Sequence, residues 1–173
     1  IALALEEMGL TRSNGNNLFK NKPTTKRYKF KNNKGKVFLG EYAMITGDPT
    51  LSPNNKIELS KATSINNKYG EFVKVIIISR AGSEGLDFKN IRQMHLMEPW
   101  YNLNRTNQTI GRAVRNLSHC RLPFKERNVE IFLYGTQLND ENKNEAIDLY
   151  MYRLAERKTM KINEIATILK QNA

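Results

Sequence analysis

The sequence predicts an α/β fold with a mostly parallel central sheet, and three observations lead to that prediction. A continuous apolar run rich in β-branched residues, VKVIIIS, occupies residues 73–79. Such a run is typical of a strand buried on both faces, as in the middle of a parallel sheet. Shorter strand candidates lie on both sides of it, and helical segments separate them. This alternation is typical of parallel strands joined by helices that cover the sheet.

The other elements follow from local signals along the chain. Residues 1–9 carry apolar side chains at helical spacing, and Gly9 is of a type that often follows a helix. The run EYAMIT at 41–46 predicts a strand, since Gly47-Asp48-Pro49 closes it as a turn. The remaining predictions are a helix over 56–69 that stops at Gly70, strands over 93–98 and 129–134, a helix over 104–117 and two helices within 141–170.

These elements are assigned to one domain over 1–136, with a basic insertion at 11–40 and a helical extension at 137–173. The length of 173 residues and the hydrophobic content of 39% suit one sizeable core. The chain starts at Ile1 within an apparent helix and without a methionine, so we expect it to be part of a larger protein.

No feature of the sequence predicts a membrane partner or secretion. No apolar run approaches the roughly 20 residues that a bilayer span needs, and the opening residues lack the basic segment of a signal peptide. Cys120 is the only cysteine, which excludes a disulfide framework and a C-x-x-C metal site. An intracellular, reducing compartment is therefore expected.

The net charge of +11 predicts a polyanionic partner. Residues 11–40 contain nine lysines or arginines and no acid, with aromatic residues such as Tyr28 and Phe30 interleaved. Phosphates suit such a stretch because binding releases counterions, and aromatic rings can stack on bases. The alternative is a solvated, partly disordered insertion, and the sequence leaves the two open. The residues of this stretch assigned to nucleic-acid binding are Lys26, Arg27 and Lys29.

Two short segments carry the candidate chemistry. The first, RAGSEGLDF at 80–88, follows the long strand directly and so lies at the carboxyl edge of the sheet, where open α/β sheets bind ligands. Its glycines permit a tight turn and a close approach to a ligand. Asp87 can accept a hydrogen bond from a ribose hydroxyl or orient an arginine. A glycine after a strand is common, so this loop alone is weak evidence.

The second segment is QTIGRAVR at 108–115. On a helix, Arg112 and Arg115 lie three residues apart and leave from one face, with Gln108 one turn before Arg112. Two guanidinium groups presented together suit a multiply charged anion, because their geometry matches phosphate oxygens. Gly111 allows a partner to approach the helix closely. The plainer alternative is a surface helix whose arginines pair with glutamates, but it does not account for the glycine.

Together, the long strand, AGSEGLDF, MHLMEPWYN and QTIGRAVR resemble motifs V and VI of superfamily 2 helicases and translocases in order and spacing. The segment PWYN at 99–102 looks like the proline–aromatic–asparagine element of the Swi/Snf-type branch. The amino-acid sequence over 97–136 is similar to the sequences of helicase-like ATPases of large DNA viruses, of the type of the poxvirus early-transcription-factor small subunit. The resemblance covers about residues 41–136. It implies a C-terminal RecA-like lobe, which is a three-layer sandwich with a mostly parallel central sheet, followed here by a C-terminal helical extension.

The resemblance also implies roles for individual residues. Three residues are assigned to catalysis. Arg115 matches the motif VI arginine finger on the γ-phosphate of ATP, and Arg112 matches its partner arginine. Gln108 matches a glutamine that orders water or nucleotide. Those assigned to nucleotide binding are Gly85, Asp87 and Gly111. Those expected to face the nucleic acid are Ser83 and Glu84. Thr109 stands where some helicases have an arginine, so the contacts of that arginine are not carried over.

The sequence has no G-x-x-x-x-G-K-[ST] phosphate loop, and Asp140-Glu141-Asn142-Lys143 lacks the final residue of a DExx box. ATP and Mg²⁺ are therefore expected to be held largely by an N-terminal RecA-like lobe outside this sequence. Little or no ATP hydrolysis, and no bound cofactor, is expected of this chain alone. The expected partners are that lobe, nucleic acid, with DNA favoured over RNA, and a viral RNA polymerase. A viral protein of this type would act in the host cytoplasm, in a virus factory, or in the virion.

Two other functions stay open at this point. The chain could be a catalytically inert, basic nucleic-acid-binding module that keeps the RecA-like fold, or its tail helices could form a platform for protein interactions. The remaining conspicuous residues receive structural interpretations. His95 is predicted to support the core or a loop, Trp100 to pack under the arginine helix, and the apolar residues of the tail to serve in packing.

Overall fold

A computed structural model describes residues 1–19, 26–32, 35–80, 85–138 and 144–172. The chain divides into two compact units, Ile1–Asn90 and Ile91–Ala173. Each unit is described by itself.

The first unit contains a three-stranded parallel sheet and a separate antiparallel hairpin. The order of strands in the sheet is β1-β4-β5, and β2 and β3 form the hairpin. The helix α2 connects β4 to β5, so these elements form the β–α–β arrangement that the sequence predicted. The bounds of the elements are α1 (Ala2–Glu7), β1 (Thr11–Arg12), β2 (Lys29–Lys31), β3 (Val37–Leu39), β4 (Glu41–Ile45), α2 (Asn55–Thr63) and β5 (Val73–Ile78), with a 3₁₀ turn at Ile65–Asn67 after α2.

The centre of this sheet is β4 and not β5. Residues 42–45 of β4 are all buried, whereas most of β5 is only half-buried. Because side chains alternate along a strand, β4 contributes to a core on each face. Tyr42 and Met44 pack with Leu5 of α1, and Ala43 packs with Ala62 of α2. Among the described residues, β5 pairs with β4 alone and so lies at the edge, and the prediction that the 73–79 run forms the middle strand is therefore wrong for this sheet. The layered α/β arrangement is confirmed.

A buried ion pair joins three elements of the first unit. The Arg12 guanidinium of β1 donates to Oε1 of Glu58 in α2 at 3.1 Å, and the two side chains are only 3% and 1% exposed. The Glu58 carboxylate also accepts hydrogen bonds from the side chains of Ser13 and Asn14 and from the backbone N–H of Met44 in β4. The several donors around the Glu58 carboxylate are needed because a buried charge without partners is strongly unfavourable. Nε of Arg12, by contrast, is buried without a hydrogen-bond partner.

A second buried carboxylate ties α1 to the sheet. Glu6 accepts hydrogen bonds from the backbone N–H groups of Leu18 and Phe19 at 2.7 and 2.9 Å, and from the hydroxyl of Tyr42. Burial, followed by the hydrogen bond to this carboxylate, raises the pKa of Tyr42 well above its ordinary value. The hydroxyl therefore remains a proton donor to Glu6.

The second unit is built on a parallel strand pair. Its elements are β6 (Gln93–Leu96), α3 (Leu103–Ala113), a 3₁₀ turn at Phe124–Glu126, β7 (Glu130–Leu133) and α4 (Ile147–Gln171). The strands β6 and β7 pair in register from Gln93↔Glu130 to Leu96↔Leu133, and α3 lies in the connection between them. This is again the predicted β–α–β order. His95 of β6 is exposed and stacks on Phe132 of β7 at 4.8 Å, so it supports the sheet surface and not a core.

The tail forms one helix of 25 residues, α4, where two helices were predicted. Its first turn is tied to the end of β7, because Asp148 accepts from the Thr136 N–H at 2.9 Å and the Tyr152 hydroxyl donates to the Tyr134 carbonyl. The bond from Thr136 lowers the pKa of Asp148. Ala155 is buried, and Met151 and Leu154, which were predicted to pack, are half-buried. The other tail residues predicted to pack are exposed within this unit, and they are Leu149, Ile162, Ile165, Ile168 and Leu169. Among the described residues, no helix has both the length and the apolar character to cross a membrane.

Replacing the buried Glu58 should destabilise the chain far more than replacing Glu41, a partly exposed glutamate whose ionic partner is a lysine. We expect Glu58→Ala to lower the free energy of unfolding by about 3–5 kcal/mol, because Arg12 is left as an uncompensated buried charge. Urea unfolding monitored by circular dichroism measures this loss.

The matched control is Glu41→Ala. Glu41 pairs with Lys61 where both side chains are partly exposed, so its loss should cost only about 0–1 kcal/mol. Similar losses for the two variants would contradict the role given to the buried pair.

Candidate functional site

The first candidate segment follows β5 at the carboxyl edge of the sheet. The loops after β4 and β5 meet there, since the Gly47 N–H donates to the Ser79 hydroxyl at 3.3 Å. Gly85 has a φ of +72°, and no atom of the described residues beyond its sequence neighbours lies within 4 Å of the position of a Cβ. This is a backbone conformation that glycine adopts without strain. Asp87 is exposed in the same loop, and its neighbour Phe88 is buried and anchors the loop. Gly82, Ser83 and Glu84 lie outside the described residues.

The second candidate segment is carried by α3, whose start is fixed by two side chains. Asn102 caps the helix by accepting a hydrogen bond from the Arg105 N–H at 3.2 Å. The Arg105 guanidinium lies over the Trp100 ring, 3.7 Å from its centre, in a cation–π contact. Trp100 thus packs against the arginine helix as predicted, but its partner is Arg105 at the start of the helix.

Gln108 and Arg112 lie one turn apart on α3, as the sequence predicted. Gln108 is exposed and Arg112 is half-buried. Gly111, between them in sequence, has open space where a side chain would project, since no atom of the described residues outside its own stretch of helix lies within 4 Å of an ideal Cβ. The described residues therefore give no packing reason for a glycine inside this helix.

Arg115 is not on the helix. The helix ends at Ala113, and Val114 follows with φ −105° and ψ 76°, a conformation that is not helical. Arg115 is exposed in the turn after it. The expectation that helical geometry presents both arginines on one face is thus wrong, although the two residues remain close in sequence. The physical reason is that the turn offers its own hydrogen bonds to the backbone of Arg115.

These bonds come from Ser118, which the sequence reasoning did not single out. The Ser118 hydroxyl accepts from the Arg115 N–H at 3.2 Å, and the Ser118 N–H donates to the Arg115 carbonyl at 3.0 Å. The same hydroxyl lies 2.7 Å from Nδ1 of His119, whose Nε2 lies 2.6 Å from the Ile91 carbonyl. The only signal in the sequence was a serine and a histidine shortly after the helix. Among the described residues, no group of three or more metal-ligating side chains lies together.

The basic segment predicted to bind nucleic acid forms the start of the β2–β3 hairpin. Lys26, Arg27 and Lys29 are all exposed. The segment is held against the first unit by the backbone of Tyr28, which donates to the Gly9 carbonyl and accepts from the Gly40 N–H, both at 2.9 Å. Gly9 has a φ of +92°, and an added Cβ would lie 2.3 Å from the Lys26 carbonyl, so only glycine permits this approach.

The aromatic residues of the hairpin face the protein. Phe30 and Phe38 are paired across the two strands and stack with their ring centres 5.8 Å apart, and Phe38 contacts Phe72 edge to face. The Lys74 ammonium lies over the Phe30 ring at 4.4 Å. Phe30 is thus engaged in packing and not presented for stacking on bases. Because side chains alternate along a strand, the exposed lysines Lys29 and Lys31 occupy the opposite face.

Comparison with known proteins places these elements in a family. Residues 18–117, more than half of the chain, match the family described as the helicase conserved C-terminal domain. A protein of Acanthamoeba polyphaga mimivirus named as an ATP-dependent RNA helicase is 42% identical over 94 residues, which is 54% of this chain. A protein of Invertebrate iridescent virus 3 named as a helicase is 33% identical over 136 residues, or 76% of this chain. A termination factor NPH-I homologue of African swine fever virus is 38% identical over 100 residues, or 58% of this chain.

The matched segment is a small part of each of these relatives. It covers 21% of the mimivirus protein and 14% of each of the other two.

The open space beside Gly111 predicts that an added methyl group is tolerated by this chain alone. We expect Gly111→Ala to raise the free energy of unfolding by about 0.5–1 kcal/mol, because alanine loses less conformational entropy in a helix. Thermal or urea unfolding measures the change. Gly70→Ala is the control and should be destabilising, since Gly70 has a φ of +69° and lies close to Lys74. A destabilised Gly111→Ala variant would show that the helix has an internal packing need for glycine.

Proposed function

Because this chain belongs to the family of helicase conserved C-terminal domains, we propose that it forms the second RecA-like lobe of an ATP-dependent nucleic-acid helicase or translocase. In this proposal the chain supplies motif V and the motif VI arginines to an ATP site, and a first lobe supplies the rest. One observation supports the proposal above all. In the second unit, Gln108 and Arg112 lie one turn apart on α3, and Arg115 lies in the turn that follows this helix.

The chemistry of these side chains fits the γ-phosphate of ATP. A guanidinium stays charged at all relevant pH values and donates to phosphate oxygens through a planar fork. Charge develops on those oxygens during phosphoryl transfer, so a fixed cation lowers the barrier. We assign the finger role to Arg115, the partner role to Arg112, and the ordering of water or nucleotide to Gln108. The open side of Gly111 would allow nucleotide to approach the helix.

The cofactor ATP and its Mg²⁺ require groups that this sequence does not supply. There is no phosphate-cradling G-x-x-x-x-G-K-[ST] loop in it, and no carboxylate cluster suited to a metal occurs among the described residues. We therefore propose that the first lobe holds Mg²⁺ and most of the nucleotide. Gly85 and Asp87 would add nucleotide contacts from the motif V loop, and Ser83 and Glu84 would face the nucleic acid.

The names of the relatives suggest the biological setting. The mimivirus relative is named for RNA and the African swine fever virus relative for termination. We propose a viral motor tied to transcription, in contact with a viral RNA polymerase and acting in the infected cytoplasm or the virion. The PWYN element resembles that of Swi/Snf-type motors, which favours translocation on DNA.

A second candidate function is a catalytically inert module that binds nucleic acid through the hairpin. The exposed face of Lys29 and Lys31, together with Lys26 and Arg27, favours it, because no acid occurs between residues 11 and 40 to offset their charge. These side chains serve either function. ATP hydrolysis separates the two.

Removing the proposed finger should abolish hydrolysis in a protein that joins this chain to a first lobe with a Walker loop and a DExx motif. We expect Arg115→Ala to lower the nucleic-acid-stimulated kcat by on the order of 10³–10⁵-fold, the range of arginine fingers in GTPases. A coupled ATPase assay with saturating nucleic acid measures it.

Arg157→Ala is the control, because Arg157 is an exposed arginine of α4 and its loss changes the net charge equally. It should leave kcat unchanged. If the joined protein shows no stimulated ATPase, or if Arg115→Ala keeps it, the motor proposal fails and the binding module is favoured.

The lysine face of the hairpin should contribute phosphate contacts. We expect the double variant Lys29→Ala/Lys31→Ala to weaken binding of this chain to duplex DNA. It should also reduce the slope of log affinity against log salt by about one per lysine, because each phosphate contact releases counterions. Fluorescence anisotropy at several salt concentrations measures both effects.

The control variant Lys158→Ala/Lys161→Ala removes the same charge from the exposed surface of α4. Equal effects of the two double variants would assign the binding to net charge alone. Repeating the titration with an RNA duplex tests the preference for DNA. An affinity for either duplex that does not change with salt would overturn the role of the hairpin.

A further inference from the structure

We propose that Ser118 and His119 are positioning residues that hold the proposed arginine finger, Arg115, in place for the γ-phosphate. The inference rests on the proposed function of Arg115 as a finger, and it adds two residues outside the QTIGRAVR segment to that function. Neither side chain is expected to touch nucleotide.

Arg115 needs hydrogen bonds from other residues to hold its backbone in place, because it lies beyond the end of α3. The backbone leaves α3 at Val114, and Leu117 has a φ of 59°, in the left-handed region that a branched side chain seldom adopts. A residue in an exposed turn has more freedom than one in a helix, and a finger must be held within a fraction of an ångström to act.

The turn compensates by binding both polar groups of the Arg115 backbone to one residue. The Arg115 N–H donates to the Ser118 hydroxyl, and the Arg115 carbonyl accepts from the Ser118 N–H. Ser118 is 2% exposed, so water does not compete effectively for these bonds.

The histidine determines the direction of the hydrogen bonds. The Ile91 carbonyl can only accept, so Nε2 of His119 carries a proton and donates to it at 2.6 Å. In the neutral ring, Nδ1 is then an acceptor, and it receives the Ser118 hydroxyl proton at 2.7 Å. The serine oxygen is left to accept from the Arg115 N–H at 3.2 Å. Each donor has one acceptor, which defines a single arrangement.

The chain of bonds ends on the sheet of the second unit. Ile91 directly precedes Arg92, whose carbonyl accepts from the N–H of Glu130 at the start of β7. The Arg115 turn is therefore connected to the paired strands through three side-chain hydrogen bonds. This connection gives the exposed arginine a rigid base.

The test uses the joined two-lobe protein and a double-mutant cycle. Ser118→Ala and His119→Leu each interrupt the chain and should lower kcat by about 10–100-fold, with the KM for ATP little changed, since a misplacement of about 1 Å can cost this much. His119→Gln keeps an acceptor and a donor on one side chain and should restore part of kcat.

The cycle separates positioning from folding. If Ser118 acts through Arg115, Ser118→Ala should have no further effect on kcat in the Arg115→Ala background. Thermal unfolding gives the folded fraction of each variant, and kcat is then calculated per folded molecule.

The outcomes distinguish this inference from the proposed function. If Arg115→Ala is inactive but Ser118→Ala and His119→Leu keep full kcat per folded molecule, the finger stands and the positioning role is overturned. The positioning role is also overturned if the Ser118→Ala and Arg115→Ala losses are additive. If Arg115→Ala itself keeps full activity, the proposed function fails first.

Discussion

The buried carboxylate of Glu58 constrains the whole first unit. It accepts hydrogen bonds from β1, from the turn after β1 and from β4, while its own backbone belongs to α2. The helix α2 connects β4 to β5. Its packing on β4 therefore also determines the position at which β5 begins. The loops after β4 and β5, the second of which leads into the segment proposed as motif V, start from the sheet edge defined in this way. An unpaired carboxylate at this depth would be strongly unfavourable, so the partners of Glu58 must be present together.

The regular elements could be predicted from the sequence because their signals are local. The apolar run at 73–78 and the turn at Gly47-Asp48-Pro49 each mark a strand within a few residues. The order of strands in the sheet is not local, and a continuous apolar run did not distinguish the edge strand β5 from the central strand β4. The Arg12–Glu58 pair could not be predicted either, since 46 residues separate the two side chains and each also suits a solvated surface.

The candidate site shows the same division between local and distant causes. The spacing of Gln108 and Arg112 on one helix followed from helical periodicity alone. The end of that helix did not, because the turn that follows it is held by hydrogen bonds between Arg115 and Ser118 and by a bond from His119 to the carbonyl of Ile91, 28 residues earlier than the histidine. A periodic pattern continues beyond the point where tertiary hydrogen bonds offer the backbone a better arrangement. For this reason the sequence placed Arg115 on a helix, and the structure places it in a turn.

The side chains of the β2–β3 hairpin indicate how a motor of the proposed kind would bind its nucleic acid. Its aromatic rings stack on one another against the first unit, and its lysines occupy the opposite, exposed face. Stacking of a base on an aromatic ring contributes about 1–3 kcal/mol, and a stepping protein would have to break each such contact at every step. Phosphate contacts repeat along the backbone and do not depend on sequence. A surface that engages Phe30 and Phe38 in packing and exposes its lysines therefore suits a protein that must release and rebind a nucleic acid of any sequence.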